Sequence, residues 1–338
     1  MTTRQERPPA ALKGLINGYQ VSQAIHVAAA LGLADLLVEG PRTSDELADA
    51  AGAHPPSLYR LLRALASVGV LREENGRRFS LTPLGDALRS DAPEPIAGWA
   101  AFVGRPSYWQ AWGHLLHSVL TGENAFGHVH GTDVWRYRAA RPEESEIFDR
   151  AMTDLTRGVD RTIVEAHDFG RYGTVVDVGG GRGAFVAAVL TRYPAVKGIL
   201  FDQPHVVATA EEMFREEGLA DRCRVVAGSF FEAVPEGGDA YVLKAVIHDW
   251  EDEEAAAILR SCRRAIPPHG ALLVIERVVG QTNTDPEAAF SDLNMLVSPG
   301  GRERTIEEFG NLFALAGFRL GEVTPTPSGY RVIQGQPV

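Results

Sequence analysis

Polar side chains stand at the ends of two apolar segments in the second half of the chain. His248 and Asp249 follow "AYVLKAVI", and Glu276 lies near the end of "ALLVIERV". A histidine can take up a proton near neutral pH, because its ordinary pKa is about 6.5. A carboxylate on one imidazole nitrogen fixes the tautomer and stabilises the imidazolium that forms. The residue types therefore favour a general base with acidic partners.

A glycine-rich loop follows an earlier apolar segment, in "TVVDVGGGRGAF". Gly179, Gly181 and Ala184 satisfy a dinucleotide fingerprint, and Asp202 is a plausible ribose ligand about 20 residues further on. Asp177 and the antiparallel strand pair that is predicted at the end of the chain suit S-adenosylmethionine better than a dinucleotide. The glycines would let the backbone approach the methionine part of that cofactor, and Asp202 could accept hydrogen bonds from both ribose hydroxyls.

The order of elements from residue 173 predicts how these polar residues come together. Apolar β-type segments alternate with helical ones, which is typical of a parallel sheet with helices on both faces. The last two strands, "FRLGEVTP" and "SGYRVIQG", have a short connection and must be antiparallel. Ligands bind beyond the carboxyl ends of such strands, where Ser229 also falls. We predict an α/β fold with a Rossmann-like sheet in a catalytic domain of residues 99–338.

Residues 1–98 are predicted to form a separate winged-helix-like domain. Thr43 and Glu46 have the spacing of a capping box, and Asn75-Gly76 is a strong hairpin signal. The segment "YQVSQAIHVAAALGLADLLV" is too apolar to remain exposed. We therefore expect this domain to form a homodimer.

DNA binding is the usual role of a winged helix, but the charges disfavour it. Residues 1–98 contain 10 Lys or Arg and 11 Asp or Glu, and the whole chain has a formal charge of −11. The wing begins with Glu73 and Glu74, which would repel phosphates. We predict no nucleic-acid partner.

The cellular setting is predicted from what the sequence contains. The two cysteines, Cys223 and Cys262, are not at a metal-binding spacing, which fits a reducing cytoplasm. No apolar run reaches the about 18 residues that a membrane helix needs. "MTTRQERPPAALKG" lacks the apolar core of a signal peptide. We expect a cytoplasmic protein with no membrane partner.

Residues 99–165 are predicted to be helical and to supply the substrate pocket. The segment is dense in aromatic residues, which could belong to an ordinary core or wall a flat apolar pocket. His128 and His130 have no carboxylate or cysteine beside them at a ligand spacing, so we predict no metal. Phe126 is a candidate for the apolar wall.

Several segments share the order and spacing of the motifs of one enzyme family. They are "VVDVGGGRGAF", "LFDQP", "GSFFEAVPEGGDAYVLKAVIHDW", "VIERV" and "SPGGRERTIEEF". The chain resembles the S-adenosylmethionine-dependent small-molecule O-methyltransferases, of the plant caffeic acid type and their bacterial antibiotic-tailoring relatives. The resemblance covers nearly the whole chain and includes the N-terminal region, which is a dimerisation domain in that family.

The resemblance implies roles for the residues at the strand ends. His248 would be the general base that deprotonates the acceptor hydroxyl, flanked by Glu276 and Glu303. Asp249 and Trp250 would lie at the adenosine end of the cofactor. Phe230 would cover the adenine. Many members have aspartate where this chain has Ser229, which leaves the adenine contact there open.

The resemblance also places Phe148, Met152 and Met295 at the donor and acceptor pocket. Asn294 could add one orienting hydrogen bond to the substrate. We predict methylation of a hydroxyl group on a small aromatic, natural-product-like metabolite. Methylation at nitrogen or carbon, or a reaction without methyl transfer, remains the alternative, and a DNA-binding regulator is less favoured.

Overall fold

The computed structural model of the chain describes residues 8–280 and 285–338. They fall into two compact units, one of residues 8–109 and 146–155 and the other of residues 110–145, 156–280 and 285–338. The first unit extends past the predicted boundary at residue 98 and includes part of the segment expected to be catalytic.

The first unit combines helices with a small sheet. Its helices are α1 (Pro8–Ile16), α2 (Gly18–Ala30), α3 (Leu33–Leu36), α4 (Ser44–Ala51), α5 (Pro55–Ser67), α6 (Pro83–Asp86) and α7 (Ala97–Val103). Its strands are β1 (Arg42–Thr43), β2 (Leu71–Glu74) and β3 (Arg78–Leu81). Two further helices, α8 (Pro106–Gly113) and α12 (Pro142–Ala166), contain residues of both units.

Local sequence signals determine two features of this unit. The Thr43 hydroxyl accepts a hydrogen bond from the Glu46 amide at 3.2 Å, and the Glu46 carboxylate accepts one from the Thr43 amide at 2.7 Å. This reciprocal pair is the predicted capping box, and it begins α4. β2 and β3 pair antiparallel across Asn75-Gly76, with β1 on the other side of β3. The predicted hairpin is confirmed.

The second unit contains the large sheet. Its helices are α9 (Leu115–Thr121), α10 (Ala125–His130), α11 (Val134–Ala139), α13 (Ala184–Arg192), α14 (Ala210–Glu216), α15 (Asp252–Ala265), α16 (Pro286–Val297) and α17 (Ile306–Leu315). Its strands are β4 (Thr174–Val178), β5 (Lys197–Asp202), β6 (Cys223–Ala227), β7 (Ala240–Lys244), β8 (Ala271–Arg277), β9 (Phe318–Pro325) and β10 (Tyr330–Pro337). Short 3-10 helices are η1 (Phe169–Arg171), η2 (Val207–Thr209) and η3 (Ile247–Asp249).

The strands have the predicted topology. Within the described residues their order is β6-β5-β4-β7-β8-β10-β9. β4 to β8 run parallel, and β10 is antiparallel to both β8 and β9. The Rossmann-like sheet with a terminal antiparallel pair is thus confirmed.

Two hydrophobic cores cover the two faces of this sheet. Val175 and Val242 belong to one core, whereas Val176 and Leu243 belong to the other. Successive side chains of a strand point to opposite faces, so burial on both faces requires nearly continuous apolar strands. Charged residues of the central strands β4, β5, β7 and β8 are thereby confined to positions at or next to the strand ends. None of the described helices has the length and hydropathy required to cross a membrane.

Candidate active site

The turn after β7 carries His248 and is fixed by Glu276. One carboxylate oxygen of Glu276 (Oε1) accepts hydrogen bonds from the amides of Val246 at 3.0 Å, Ile247 at 2.8 Å and His248 at 3.3 Å. Ala245 begins this turn with a positive φ of 53°, which is unfavourable for a residue with a side chain. Because Glu276 lies on the neighbouring strand β8 and is fully buried, it fixes the backbone that carries the imidazole.

The imidazole of His248 has two different nitrogen environments. Nδ1 lies 3.0 Å from Oε1 of Glu303 and 3.2 Å from Oε2 of Glu276. Nε2 has a more distant neighbour, Oδ1 of Asp249 at 3.7 Å. The carboxylates favour the tautomer in which Nδ1 carries the proton and donates a hydrogen bond to Glu303. When the ring is neutral in this tautomer, the lone pair of Nε2 is available to accept a proton.

The acidic neighbours control the charge of this group. Burial by itself would lower the pKa of His248, but Glu276, Glu303 and Asp249 outweigh it and raise that pKa well above its ordinary value. Burial raises the pKa of Glu276 to about 7, although His248 opposes this effect. Burial would also raise the pKa of Glu303, but the interaction with His248 lowers it overall. Glu303 is therefore the more strongly ionised partner.

His248, Glu276 and Glu303 also offer possible metal-ligand atoms that lie within 4.8 Å of one another. Nδ1 of His248 is already hydrogen-bonded to Glu303, so we interpret the group as acid–base machinery, and the absence of a metal stays a prediction. His128, for which the sequence predicts no metal, stacks on His117 with ring centroids 3.7 Å apart.

The segment "GGRERT" packs directly against the turn that holds His248. A Cβ atom on Gly301 would lie 2.1 Å from the carbonyl oxygen of His248, so this approach requires glycine. Arg304 is 1% exposed and donates to the carbonyl oxygens of Ile247 at 3.1 Å and Trp250 at 2.8 Å. Neither Gly301 nor Arg304 has a role that was predicted from the sequence. A glycine pair before a charged run was the available signal.

The glycine loop after β4 has the backbone that its sequence demands. Gly179 and Gly181 have positive φ values of 71° and 60°. The Gly181 amide donates to Oδ2 of Asp202 at 2.8 Å. A Cβ atom on Gly181 would meet no atom within 4 Å, so the loop has an open face beside an accepting carboxylate. This open face and Asp202 fit the ribose and methionine parts of S-adenosylmethionine.

A second buried charged group lies beneath the loop, formed by Asp160, Asp177 and Lys244 and called here the Lys244 cluster. Nζ of Lys244 lies 2.5 Å from Oδ1 of Asp160. Asp177 is 1% exposed, and neither of its carboxylate oxygens has a hydrogen-bond partner among the described residues. Burial raises the pKa of Asp177 to about 7, with Lys244 opposing. Sequence reasoning placed Asp177 at the cofactor but gave no role to Asp160 or Lys244.

Aromatic rings gather near the predicted adenosine end. The rings of Phe230 and Trp250 have centroids 6.0 Å apart, and Phe231 packs edge-on against Trp250 at 4.8 Å. Trp135 stacks on the Trp250 indole with centroids 5.9 Å apart. The Ser229 hydroxyl accepts a hydrogen bond from the Phe231 amide at 3.3 Å, so it shapes this turn. Sequence reasoning gave no role to Phe231 or Trp135 at this end.

The five predicted substrate residues fall in two units. Phe148 and Met152 lie on α12 in the first unit, where the Phe148 ring is 5.5 Å from Phe102. In the second unit, Asn294 and the buried Met295 lie on α16, and the buried Phe126 lies on α10. The side-chain Nδ2 of Asn124, the N-cap of α10, donates to the carbonyl oxygens of Leu296 and Ser298 and links α10 to the end of α16. Their contacts with substrate stay predictions.

Comparison with known proteins gives matches along most of the chain. Residues 112–319 match the O-methyltransferase domain family, and residues 14–91 match the O-methyltransferase dimerisation domain. The chain is 43% identical to the phenazine O-methyltransferase PhzM of Lysobacter antibioticus, over 96% of this chain and 95% of that protein. It is 41% identical to the mitomycin biosynthesis 6-O-methyltransferase of Streptomyces lavendulae, over 93% and 90%. An N-methylating relative, the 8-amino-8-demethylriboflavin N,N-dimethyltransferase of Streptomyces davaonensis, is 38% identical over 93% and 91%.

Solved structures agree with these matches. The crystal structure of LaPhzM superposes with a TM-score of 0.96 at 42% identity, covering 98% of this chain and 100% of that one. NcsB1, an O-methyltransferase from neocarzinostatin biosynthesis, gives a TM-score of 0.81 at 37% identity, with 94% and 96% covered. That structure contains S-adenosyl-L-homocysteine and 1,4-dihydroxy-2-naphthoic acid. This chain therefore belongs to the S-adenosylmethionine-dependent small-molecule O-methyltransferase family.

Proposed function

We propose that this protein methylates a hydroxyl group of a small aromatic metabolite, with His248 as the general base. The observation that carries the proposal is that the two nitrogens of the His248 imidazole have different surroundings. Nδ1 is held by Glu303 at 3.0 Å, whereas Nε2, which lies 3.7 Å from Oδ1 of Asp249, is left to accept a proton. A phenol has an ordinary pKa of about 10, so a base raised above pKa 6.5 assists its ionisation.

The cofactor, when bound, supplies a methyl group on a sulfonium sulfur. A nucleophilic oxygen can attack that methyl group and displace the sulfur, which leaves as the thioether of S-adenosylhomocysteine. His248 removes the hydroxyl proton at Nε2. Glu303 stabilises the imidazolium that results, and Glu276 keeps the ring in place through its three backbone hydrogen bonds. Holding the donor and acceptor together contributes further to the rate.

The cofactor would be held along the carboxyl edge of the sheet. Asp177 and the glycines at 179 and 181 form the proposed cradle of its methionine part. Asp202, with its oxygen already placed by the Gly181 amide, is the proposed ribose acceptor. The proposed adenosine site consists of Ser229, Phe230, Asp249 and Trp250.

The acceptor is proposed to be planar, aromatic and hydroxylated. Phe126, Phe148, Met152 and Met295 are the proposed apolar contacts, and Asn294 is the proposed orienting hydrogen bond. Support comes from relatives whose names specify phenazine, naphthoate and aminohydroxybenzoate substrates. The N,N-dimethyltransferase relative makes an amine acceptor the second candidate, although a weakly basic aromatic amine gains less from a general base before transfer.

We further propose a homodimeric, cytoplasmic protein that binds neither nucleic acid nor membrane. The first unit leaves large apolar side chains of α1 and α2 exposed, including Leu12 at 58%, Leu15 at 79% and Tyr19 at 54%. Exposed apolar groups of this kind support a role in association for the winged-helix-like region. Both cysteines are free and buried, which supports a reducing compartment. Light scattering at micromolar concentration should report a dimer, and a monomer would contradict this part of the proposal.

The test of the reaction is a substrate panel with S-adenosylmethionine as donor. Hydroxylated phenazines, naphthoates and simple phenols are compared with aromatic amines, sugars and an oligonucleotide. We measure S-adenosylhomocysteine formation and the mass and position of the added methyl group. O-methylation of an aromatic hydroxyl is expected, and it should be lost in His248→Ala. Faster methylation of an amine, sugar or oligonucleotide than of every aromatic hydroxyl would overturn the proposal.

A further inference from the structure

Glu303 is held by more than His248. Its Oε1 atom accepts a hydrogen bond from the Ser291 hydroxyl at 2.7 Å, in addition to that from Nδ1 of His248 at 3.0 Å. The backbone amide of Glu303 donates to Oδ1 of Asp292 at 2.9 Å. Ser291 and Asp292 are neighbours on α16, so one helix fixes both the backbone and the carboxylate of Glu303.

The two glutamates beside His248 are therefore held in different ways. The oxygen of Glu276 that makes hydrogen bonds is used by backbone amides of residues 246–248. The corresponding oxygen of Glu303 is shared by the imidazole and the Ser291 hydroxyl. A carboxylate oxygen has two lone pairs, so both donors can be accommodated without competition.

We propose that Ser291 is a positioning residue, which holds Glu303 as the ionised partner of the His248 imidazole and so sets the proton affinity of that base. This proposal rests on the proposed function for its catalytic meaning. A hydroxyl that donates to a carboxylate stabilises the charged form. The stabilisation is greatest when His248 is neutral, since no imidazolium then offsets the charge of Glu303.

The direction of the effect of Ser291 follows from these two states. Removing the hydroxyl destabilises the form with neutral His248 and ionised Glu303 more than the form with one added proton. The pair should then bind that proton more readily. The apparent pKa of the pair should therefore rise when Ser291 loses its hydroxyl, and the acidic limb of the activity profile should move to higher pH.

Other charged or titratable groups around the pair stay unchanged in this comparison. They are Glu276 and Arg277 on β8, Asp249 on η3, Asp292 on α16, Arg138 on α11, Arg302 beside Glu303, and Tyr330 on β10. A substitution confined to Ser291 alters none of these charges. The observed shift can then be assigned to the lost hydroxyl.

The experiment follows the imidazole directly by NMR in uniformly ¹⁵N-labelled full-length protein. The signal of His248 among the ten histidines is identified by its loss in His248→Ala. We expect Ser291→Ala to raise the titration midpoint of His248 by about 0.5–1 pH unit, which is less than the full value of one hydrogen bond to a charged group because that bond forms in both protonation states. Ser291→Thr, which keeps a hydroxyl, should stay close to wild type. Ser291→Val has nearly the same shape as Ser291→Thr but lacks the hydroxyl, and it should behave like Ser291→Ala.

Ser261→Ala is the matched control. Ser261 is 2% exposed, and its hydroxyl accepts from Arg264 on the same helix, α15. It should leave the midpoint unchanged. An unchanged midpoint in both Ser291→Ala and Ser291→Val, or an equal shift in Ser261→Ala, would overturn the proposal.

The same variants are then assayed for methyl transfer. The acidic limb of kcat/KM should move upward by the same amount in Ser291→Ala, with kcat at pH 7 lowered about 3- to 10-fold and KM nearly unchanged. If the wild type methylates no aromatic acceptor, the proposed function fails. The NMR titration still decides whether Ser291 sets the proton affinity of His248.

Discussion

The carboxyl edge of the sheet holds two buried charged groups that are built in opposite ways. In the His248 cluster, formed by His248, Glu276 and Glu303, each carboxylate has one oxygen engaged by defined donors. In the Lys244 cluster, Lys244 reaches Asp160, but both oxygens of Asp177 lack a hydrogen-bond partner within the described part of the chain. Directional bonds hold both carboxylates of the first group, whereas in the second group only Asp160 is hydrogen-bonded to Lys244 and Asp177 interacts through its charge.

This difference separates two tasks. A base that must meet a hydroxyl in one geometry benefits from a preorganised ring, because misplacement lowers the rate. A buried carboxylate without hydrogen bonds instead has a pKa and a desolvation cost that depend on the charges nearby. We therefore expect the His248 cluster to control turnover, and the Lys244 cluster to control stability and its dependence on pH.

Replacing His248 should give the largest effect. His248→Ala should lower kcat about 10²- to 10⁴-fold, the usual range for a lost general base, with little change in cofactor affinity. Steady-state kinetics and calorimetry measure the two quantities. His269→Ala is the control, since that histidine has a side chain 76% exposed. Retention of more than half of the turnover, with the chemical step rate-limiting, would exclude His248 as the base.

Replacing Lys244 should instead destabilise the fold. Lys244→Met leaves Asp160 and Asp177 buried without their cation, so the free energy of unfolding should fall by about 3–5 kcal/mol. Asp160→Asn in the same chain should restore part of it. Urea denaturation at pH 7 measures this, with the exposed Lys197→Met as control. A loss no larger than that of the control would show that the Lys244 cluster carries no such charge balance.

The pH dependence of stability should sharpen the contrast. The pKa of Asp177 in the folded protein is raised to about 7, so the folded state binds an extra proton between pH 4 and 7. The contribution of Asp177 to the free energy of unfolding therefore falls as pH rises through that window. Relative to wild type, Asp177→Asn should gain about 2–4 kcal/mol more at pH 8 than at pH 4.5. An equal difference at both pH values would show that Asp177 does not titrate in this window.

The smallest expected effect concerns Asp202. Asp202→Ala removes the proposed ribose acceptor and should weaken S-adenosylmethionine binding by about 1.5–3 kcal/mol, as for hydrogen bonds to a charged group. Titration calorimetry with S-adenosylmethionine and with NAD measures the change. The exposed Asp221→Ala serves as control. Tight NAD binding without S-adenosylmethionine binding in the wild type would contradict the proposed site.

Much of the fold could be predicted because its signals are local. The capping box at Thr43, the Asn75-Gly76 turn and the alternation of apolar strands with helices each act over a few residues. The topology of a parallel sheet then brings His248 and Glu276 to one edge, since they end neighbouring strands. Local patterns did not reveal how far the first unit continues past residue 98, because that depends on packing between distant segments.

The sequence by itself determined the sheet, the edge where the proposed site lies, and the acidic and imidazole groups available there. Only the tertiary structure decided how these groups share their bonds. Glu276 binds backbone amides, Glu303 is shared by His248 and Ser291, and Arg304 holds the carbonyl oxygens of the turn. Hydrogen bonds depend on distances of a few tenths of an ångström between residues far apart in sequence. Residue type and order specify which partners exist, but their pairing follows from how the hydrophobic cores pack.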